Sequence, residues 1–352
     1  MMTEYLSSKL RNLSAVAILM VIYIHMFYRE GTEMPSLMFV EKTIGSGFCS
    51  VAVPLFYAIS GYLFFLKVPH GLESISLKLR KRVRTLLVPY LLANILTFLF
   101  YVALNLIAIR VPMIDSIVNF KIFNTMQADG WLGTLNLVFI DPPIAFQLWF
   151  VRDLMVVMLF SPLIWITLNW LKKVNGSRII AMIILLSLFL LDVRSGYMTA
   201  FIWFSVGGYF AVMEIIAGKK GSIGSAPLLI FAICYLVLSV LAGVGRLSQY
   251  YTRFVSVVGI PALWMVYDCL GERFLSNRMV ADFSKYTFFI YLVHEPLLNI
   301  FKKLPLLMSR SEGMLLGCYL VIPVVFYISA AFLGKCLKRW FPRAYSIYTG
   351  GR

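Results

Sequence analysis

The sequence predicts an all-α fold, a polytopic transmembrane helical bundle of about ten helices with both termini inside the cell. Three observations predict it: 61% of the 352 residues are hydrophobic, only 14% are charged, and the mean hydropathy is +0.85. Soluble domains carry roughly a quarter charged residues. A chain this apolar is expected in a lipid bilayer, where helices satisfy their backbone hydrogen bonds internally.

Ten apolar runs are long enough, at about 17 to 25 residues, to cross the hydrocarbon core as helices. They are residues 12–28, 46–66, 85–109, 147–171, 179–193, 198–217, 227–243, 251–270, 282–302 and 313–334. The fifth run is short and its boundaries are weak, so the expected number carries an error of one. No small-residue cleavage site follows the first run, which is therefore expected to be a retained helix and not a signal peptide.

The orientation follows from the loops, because the cytoplasmic loops of membrane proteins are enriched in lysine and arginine. With both termini inside, 20 of the 32 basic residues lie on the cytoplasmic side and ten on the outer side, while Arg152 and Lys285 fall within spans. The net charge of +16 then belongs mainly to the cytoplasmic face, and nucleic-acid binding is the less economical interpretation of that charge.

Five single cysteines without a CxxC pair predict neither a disulfide framework nor a metal site.

The longest loop, residues 110–146 on the outer side, includes Gly130-Trp131-Leu132-Gly133 and Asp141-Pro142-Pro143. Loops of this length in compact domains are commonly functional lids or partly disordered segments. The apolar content of this loop favours an interfacial or re-entrant segment.

Three predicted spans carry ionisable residues at comparable depth. His25 lies near the outer end of span one, Arg152 and Asp153 near the outer end of span four, and His294 with Glu295 in the middle to outer half of span nine. Each must find a partner or a polar cavity, so together they predict a functional site within the bundle. The alternatives are an interfacial His25, an Asp153 that only neutralises Arg152, and a His294 bonded to a carbonyl of a neighbouring helix.

A basic run precedes the third span: Lys78, Arg80, Lys81, Arg82 and Arg84 place five cations within seven residues. Guanidinium groups form charge-assisted hydrogen bonds with phosphates, so the run predicts a binding site for a phosphorylated cofactor. The alternative is a positive-inside anchor that contacts anionic lipid.

Five segments together resemble the integral-membrane acyltransferase family 3, which includes O-acetyltransferases and succinyltransferases of bacterial surface polysaccharides. In chain order they are Leu13–Leu19 followed by His25, Val53–Phe65, the basic run with Leu86–Tyr90, Leu148–Leu154, and Ser284–Pro296. Each segment alone is a weak apolar motif, but the five in this order are specific. The resemblance implies a single integral-membrane acyltransferase domain over residues 1–352 in the bacterial cytoplasmic membrane.

The family's first helix usually carries an arginine eleven residues before the histidine, whereas this chain has Ser14 at that position. Eleven residues return to nearly the same helix face. Arg11 lies fourteen residues before His25, within about 40° of that face and about 21 Å away along the axis. Arg11 is therefore the candidate to replace the missing arginine, and without such a replacement the chain would be slow, specialised or inactive.

The resemblance implies that an acyl group, most commonly acetyl, moves from cytoplasmic acyl-CoA to a hydroxyl of a surface glycan or a lipid-linked sugar. His25 would act as general base or would carry the acyl group transiently, because imidazole titrates near neutrality. Arg152, held by Asp153, would stabilise the oxyanion or orient the acceptor. The candidate residues are, for catalysis, His25, Arg152, Asp153, His294 and Glu295, and, for the cofactor, Arg11, Ser14, Arg80, Arg82 and Arg84.

Two rival functions use the same residues. Intramembrane histidine, arginine and aspartate also occur in proton-coupled transporters and flippases, although the two halves of this chain show no convincing similarity of the kind many transporters have. A catalytically inactive relative in a glycan-export assembly would also fit the departure at Ser14. Consumption of acyl-CoA separates both from an enzyme, while the acyl group, the acceptor and the oligomeric state stay open.

Overall fold

A computed structural model of the chain describes residues 3–28, 34–68, 71–111, 122–140, 143–174, 183, 196–214, 225–245, 249–275, 278–308 and 311–351. Within these ranges every regular element is a helix and no strand occurs, which confirms the all-α prediction. The segment Asp141-Pro142 of the long loop lies outside the described residues.

The α-helices, in chain order, are α1 (Glu4–His25), α2 (Pro35–Glu41), α3 (Ala52–Phe65), α4 (Leu72–Arg82), α5 (Val88–Ala108), α6 (Ile122–Phe139), α7 (Trp149–Leu159), α8 (Ser161–Lys173), α9 (Gly196–Val212), α10 (Ser225–Gly243), α11 (Gln249–Leu275), α12 (Arg278–Phe283), α13 (Thr287–Phe301), α14 (Leu304–Met308), α15 (Glu312–Trp340) and α16 (Pro342–Tyr348). Segments of π-helix (Lys42–Gly47 and Val83–Leu87) and of 3₁₀-helix (Phe48–Val51, Phe146–Leu148 and Ser284–Tyr286) connect several of them.

Nine of the ten predicted spans have a corresponding helix, and the fifth, 179–193, lies outside the described residues apart from residue 183. Six helical stretches of the described chain are long and apolar enough to cross a membrane: Glu4–His25, Pro35–Phe65, Leu72–Ala108, Ala226–Gly243, Arg253–Leu270 and Glu312–Trp340. The pair α7 and α8, bent by 60°, would make a seventh. The chain is therefore a multi-pass membrane protein, and the cytoplasmic position of both termini stays a prediction.

One of the predicted spans is shorter than expected. Helix α9, with 17 described residues, is at the lower limit, whereas α13 has 15 with an interruption at Glu295, where φ is −107° and ψ is 136°. Pro296 follows and has no backbone N–H, so it cannot bond to Leu292 as a helical residue would. The interruption leaves irregular backbone inside the bundle, which membrane proteins tolerate where other protein groups satisfy it.

Helix α1 lies in the interior and contacts α3, α11, α13 and α15. The most extensive helix contact is between α3 and α9, and two glycines permit it. A Cβ atom on Gly61 would overlap the carbonyl oxygen of Phe204, and one on Gly207 would overlap the carbonyl oxygen of Ala58. Small residues of this kind allow close approach of helix backbones in membranes, where packing drives association.

The long loop between α5 and α7 contains α6, which packs along α5 and is interrupted at Gly130, where φ is +65°. The Tyr90 hydroxyl donates a hydrogen bond to the Phe139 carbonyl at 2.6 Å, and the Asn94 side-chain oxygen accepts one from the Ala145 N–H at 3.2 Å. An apolar helix folded back along a spanning helix agrees with the predicted interfacial or re-entrant segment. The hydrogen bonds of Tyr90 and Asn94 also hold Phe139 and Ala145, which lie on the segment that leads into α7.

Candidate active site

Two histidines from different helices meet at the C-terminal end of α1. His25 is the last residue of that helix, and His294 lies in α13 just before the interruption. Their ring centroids are 5.4 Å apart, with the ring planes inclined at 47°. His25 is half-buried beside Phe146, whereas His294 has no exposed surface. The fold thus brings together two of the residues that the sequence singled out.

The hydrogen bonding of His294 fixes which of its nitrogens carries the proton. Its Nδ1 lies 2.7 Å from the backbone oxygen of Tyr291, on the same helix. A carbonyl oxygen only accepts hydrogen bonds, so Nδ1 is the donor and the neutral ring keeps its lone pair on Nε2. That Nε2 is buried and has no hydrogen-bond partner in the part of the chain that the structure describes. The alternative interpretation, a His294 bonded to a carbonyl of a neighbouring helix, is therefore wrong for Nδ1, which bonds within α13.

Gln147 supports the interrupted part of α13 from the turn that precedes α7. Its side-chain Nε2 donates to the Leu292 carbonyl at 3.1 Å and to the Glu295 carbonyl at 2.8 Å. In return the Tyr291 hydroxyl donates to the backbone oxygen of Gln147. Since Pro296 supplies no N–H to Leu292, the glutamine satisfies a carbonyl that would otherwise be left without its helical donor. The backbone that carries His294 is therefore held from outside its own helix.

Glu295 and Lys302 complete this end of the site. Glu295 is buried, and its carboxylate accepts a hydrogen bond from the Asn299 side chain one turn later. The Lys302 ammonium group donates to the His25 backbone carbonyl at 3.3 Å and lies within electrostatic range of Glu295. The hydrogen bond from Lys302 satisfies the His25 carbonyl, which has no helical partner at the end of α1. The helix dipole favours a cation at this end of a helix.

The Arg152–Asp153 pair forms a neighbouring unit, as the sequence paired them. The buried Asp153 carboxylate accepts from Arg152 Nε and Nη2, both at 3.0 Å, while Arg152 Nη1 donates to the Ile140 carbonyl at 2.7 Å. The guanidinium carbon lies 5.1 Å from the centre of the Tyr197 ring. The pair is within electrostatic range of Tyr291, whose ring lies 5.8 Å from that of His294. It therefore adjoins the histidines through Tyr291.

A cavity of about 360 Å³ lies beside this site and shares Tyr291 with it, but its lining does not include the predicted catalytic residues, which are His25, Arg152, Asp153, His294 and Glu295. Arg11, Arg82 and Lys285 line it at the end remote from His25, and Phe150 and Tyr291 line it near the histidines. The remaining lining residues are Ser14, Phe56, Ile59, Ser60, Leu63, Leu86, Val151, Leu154, Met158, Ser284, Thr287 and Phe288. The cavity is thus basic at one end and apolar along its length.

The basic run does not act as one unit. Arg82 is half-buried and lines the cavity, whereas Arg80 and Arg84 are exposed and lie outside its lining. Residues two apart on a helix point in different directions, which separates Arg82 from both. Lys78 instead donates to the carbonyls of Phe64 and Leu66 at 2.6 and 2.5 Å, at the end of α3.

Arg11 and Ser14 both line the cavity, one turn apart on α1. Ser14 carries no charge, so this position offers no cation to the cavity. Its hydroxyl donates back to the Leu10 carbonyl at 2.8 Å. In the part of the chain that the structure describes, neither Arg11 nor Arg82 forms an ion pair with a carboxylate. Two cations that line one cavity without a counter-ion are suited to an anionic ligand.

Three residues of the site were missed by the sequence reasoning. Lys285 was assigned only to a span, although it lies in the turn before α13 and lines the basic end of the cavity. Gln147 and Tyr291 act through backbone contacts that no local pattern indicates. Only Pro296 gave a signal, because a proline within an apolar run implies that some other group must satisfy the freed carbonyl.

Comparisons with known proteins identify the family of the chain. Residues 9–334 match a family model described as an acyltransferase domain. The chain is 25% identical over 274 residues to the succinoglycan biosynthesis protein ExoH of Rhizobium meliloti (strain 1021), which covers 73% of this chain and 68% of that protein. No solved structure matches.

Proposed function

The chain belongs to this acyltransferase family, and we propose that it moves an acyl group from acyl-CoA, most commonly acetyl-CoA, to a hydroxyl of a surface glycan or lipid-linked sugar. Membership of the family supports a membrane O-acyltransferase. The relative is named for the biosynthesis of a polysaccharide, which favours a glycan acceptor. The finer assignments below rest on the geometry of the site.

The cavity carries the proposal for the donor. Acyl-CoA has a polyanionic nucleotide end and a long, thin arm that ends in the thioester. Arg11 and Arg82 offer two cations without a described counter-ion to the phosphates at one end of the cavity, and Lys285, which is paired with Asp282 at 3.1 Å, lies beside them. Along α1, Arg11 and His25 are about 21 Å apart. The arm would follow the apolar lining and present the thioester near Tyr291 and the histidines.

At the histidine end, His25 acts as general base on the acceptor hydroxyl or takes up the acyl group before passing it on. Its ring is the more accessible of the two, and no described residue forms a hydrogen bond to its nitrogens. Arg152, held by Asp153 and the Ile140 carbonyl, orients the acceptor or stabilises the oxyanion. Glu295 holds the interrupted end of α13 together with Asn299.

The orientation belongs to the same proposal. Acyl-CoA is made in the cytoplasm, so the end of the bundle with Arg11, Arg82 and Lys285 faces the cytoplasm, and His25 lies towards the outer side of the bacterial inner membrane. This assignment agrees with the excess of lysine and arginine in the predicted inner loops. The two candidate phosphate ligands Arg80 and Arg84 are then free to contact lipid headgroups.

The test is acyl transfer by purified protein in liposomes, with radiolabelled acetyl-CoA on the face that bears the basic residues and a hydroxylated glycan acceptor. We expect His25→Ala to abolish transfer while acetyl-CoA binding persists. Arg11→Ala and Arg82→Ala should each raise KM for acetyl-CoA by about 10- to 150-fold, because one charge-assisted hydrogen bond contributes roughly 1.5–3 kcal/mol.

Lys81→Ala is the matched control, since this lysine belongs to the same basic run but is exposed and does not line the cavity. It should leave KM unchanged. Full transfer by a folded His25→Ala protein would refute the role of His25. Equal effects of all three cation variants would show that the cavity does not select the donor, and the run would then be a lipid anchor.

A further inference from the structure

One buried group is left unused by the proposed chemistry. His294 Nε2 has no hydrogen-bond partner although the whole residue is inaccessible. A buried polar atom without a partner costs about 1–3 kcal/mol. A shift of the ring proton from Nδ1 to Nε2 would not remove this cost, because Nδ1 would then lose its hydrogen bond to the Tyr291 carbonyl. The atom is therefore a fixed acceptor that lacks a donor.

Of the two described rings in contact with His294, those of Tyr291 and His25, only His25 has an uncommitted donor. The Tyr291 ring lies beside it, but the Tyr291 hydroxyl already donates to Gln147. The Glu295 carboxylate is an acceptor held by Asn299, and the Lys302 ammonium group donates to the His25 carbonyl. The remaining ring is that of His25, 5.4 Å away between centroids, with nitrogens that no described residue bonds.

We infer that His294 is a positioning residue for His25: its Nε2 accepts the N–H of the His25 ring, directly or through one water. This holds the other nitrogen of His25 unprotonated and directed at the acceptor hydroxyl. Gln147 and the Tyr291 carbonyl serve the same purpose, because they fix the backbone and the tautomer of His294. The inference rests on the proposed function and assigns the direct-base route to His25.

The step balances without a further reactant. The unprotonated nitrogen of His25 takes the proton of the acceptor hydroxyl while its oxygen forms a bond to the thioester carbonyl carbon of the donor. The carbon–sulfur bond then breaks, and the coenzyme A thiolate takes the proton back from His25. His294 stays neutral throughout and accepts the N–H of the imidazolium, which stabilises the charge that forms on His25.

The test compares His294→Met with His294→Gln in the full-length protein. The two side chains are unbranched and similar in size, but only glutamine retains an acceptor oxygen. The first readout is carbethoxylation of His25 by diethyl pyrocarbonate, followed by mass spectrometry, with His70 in the same sample as the internal reference. This readout needs neither donor nor acceptor, so it stands even if the chain transfers no acyl group.

We expect His294→Met to slow the modification of His25 by more than about twofold, with His294→Gln intermediate, because the His25 ring loses the acceptor of its N–H and its other nitrogen becomes a weaker base and nucleophile. The second readout is transfer, where kcat should fall about 100-fold in His294→Met with KM for acetyl-CoA unchanged. Unchanged labelling of His25 in folded His294→Met would overturn the inference, as would equal slowing in both variants. If His294→Met does not fold, His294→Phe replaces it in the same comparison.

Discussion

Gln147 shows how a single side chain prepares the site. It is 2% exposed, and both of its amide hydrogen bonds go to carbonyls of α13 around the interruption at Glu295. The histidine next to that interruption depends on the same backbone for its Nδ1 contact. The residue therefore holds the backbone beside His294 without lining the cavity.

We expect Gln147→Leu to lower both stability and activity. Two buried carbonyls lose a donor, which costs about 1–3 kcal/mol each, and the backbone of His294 loses its external support. Thermal unfolding in detergent measures the first effect. In the transfer assay, kcat should fall while KM for acetyl-CoA stays near the wild-type value, because the basic end of the cavity is untouched.

The control is Asn169→Leu in α8. Asn169 likewise donates from its side-chain amide, but to the Trp165 carbonyl of its own helix, away from the histidines. It should affect kcat little. A Gln147→Leu protein whose kcat matches that of the control would contradict the positioning role.

At the residue level, the sequence could predict which side chains are unusual but not what they contact. His25 and His294 stood out because ionisable groups within apolar runs need a partner, and helix geometry placed them at similar depth. Gln147 and Lys285 did not stand out, since one lies in a turn and the other at the end of a span. Their importance depends on how α7 and α13 pack, which no local pattern contains.

On the scale of helices, the contact between α3 and α9 depends on glycine. Gly207→Ala places a methyl group on the Ala58 carbonyl, so one helix must move away. Overpacking of this kind costs about 1–3 kcal/mol. Because Phe56, Ile59 and Ser60 of α3 line the cavity, the shift should also weaken acetyl-CoA binding. Thermal unfolding and calorimetric titration would measure the two effects.

Gly317→Ala in α15 is the matched control, since no atom lies within 4 Å of the added Cβ. Alanine is the better helix former, by about 0.5–1 kcal/mol, so this variant should unfold at the same temperature or slightly higher. If Gly207→Ala unfolded at the same temperature as Gly317→Ala, the close packing of α3 on α9 would not be required to position the α3 residues that line the cavity.

The basic run shows what helical geometry adds to a sequence pattern. Charge density alone grouped Arg80, Arg82 and Arg84 as phosphate ligands. The helical period separates them, and only Arg82 joins Arg11 at the cavity. The spacing of the run indicates that Arg82 lies on a different helix face from Arg80 and Arg84. Which face lines the cavity depends on how α1, α4 and α13 pack together, and the spacing does not show this.

Across the whole molecule, the donor proposal requires that the two ends of the cavity lie on opposite sides of the membrane. Composition was sufficient to predict a helical membrane bundle, because a chain with so few charges has no other stable environment. The order of the helices around the cavity was not predictable, because it depends on tertiary contacts such as the glycine pair of α3 and α9. The orientation rests on the distribution of positive charge.

Single cysteines introduced into a chain without its five native cysteines would test that orientation. Lys81→Cys marks the basic run, and Gly313→Cys marks the start of α15, where the position is exposed and open. In intact cells a membrane-impermeant maleimide should label only Gly313→Cys, and permeabilisation should expose Lys81→Cys. The reverse pattern would place Arg11 and Arg82 outside the cell, where acyl-CoA is absent, and the cavity could not then be the donor site. With the expected pattern, the anionic donor meets the cations on the side where it is made, and the acyl group reaches His25 on the side where surface glycans are modified.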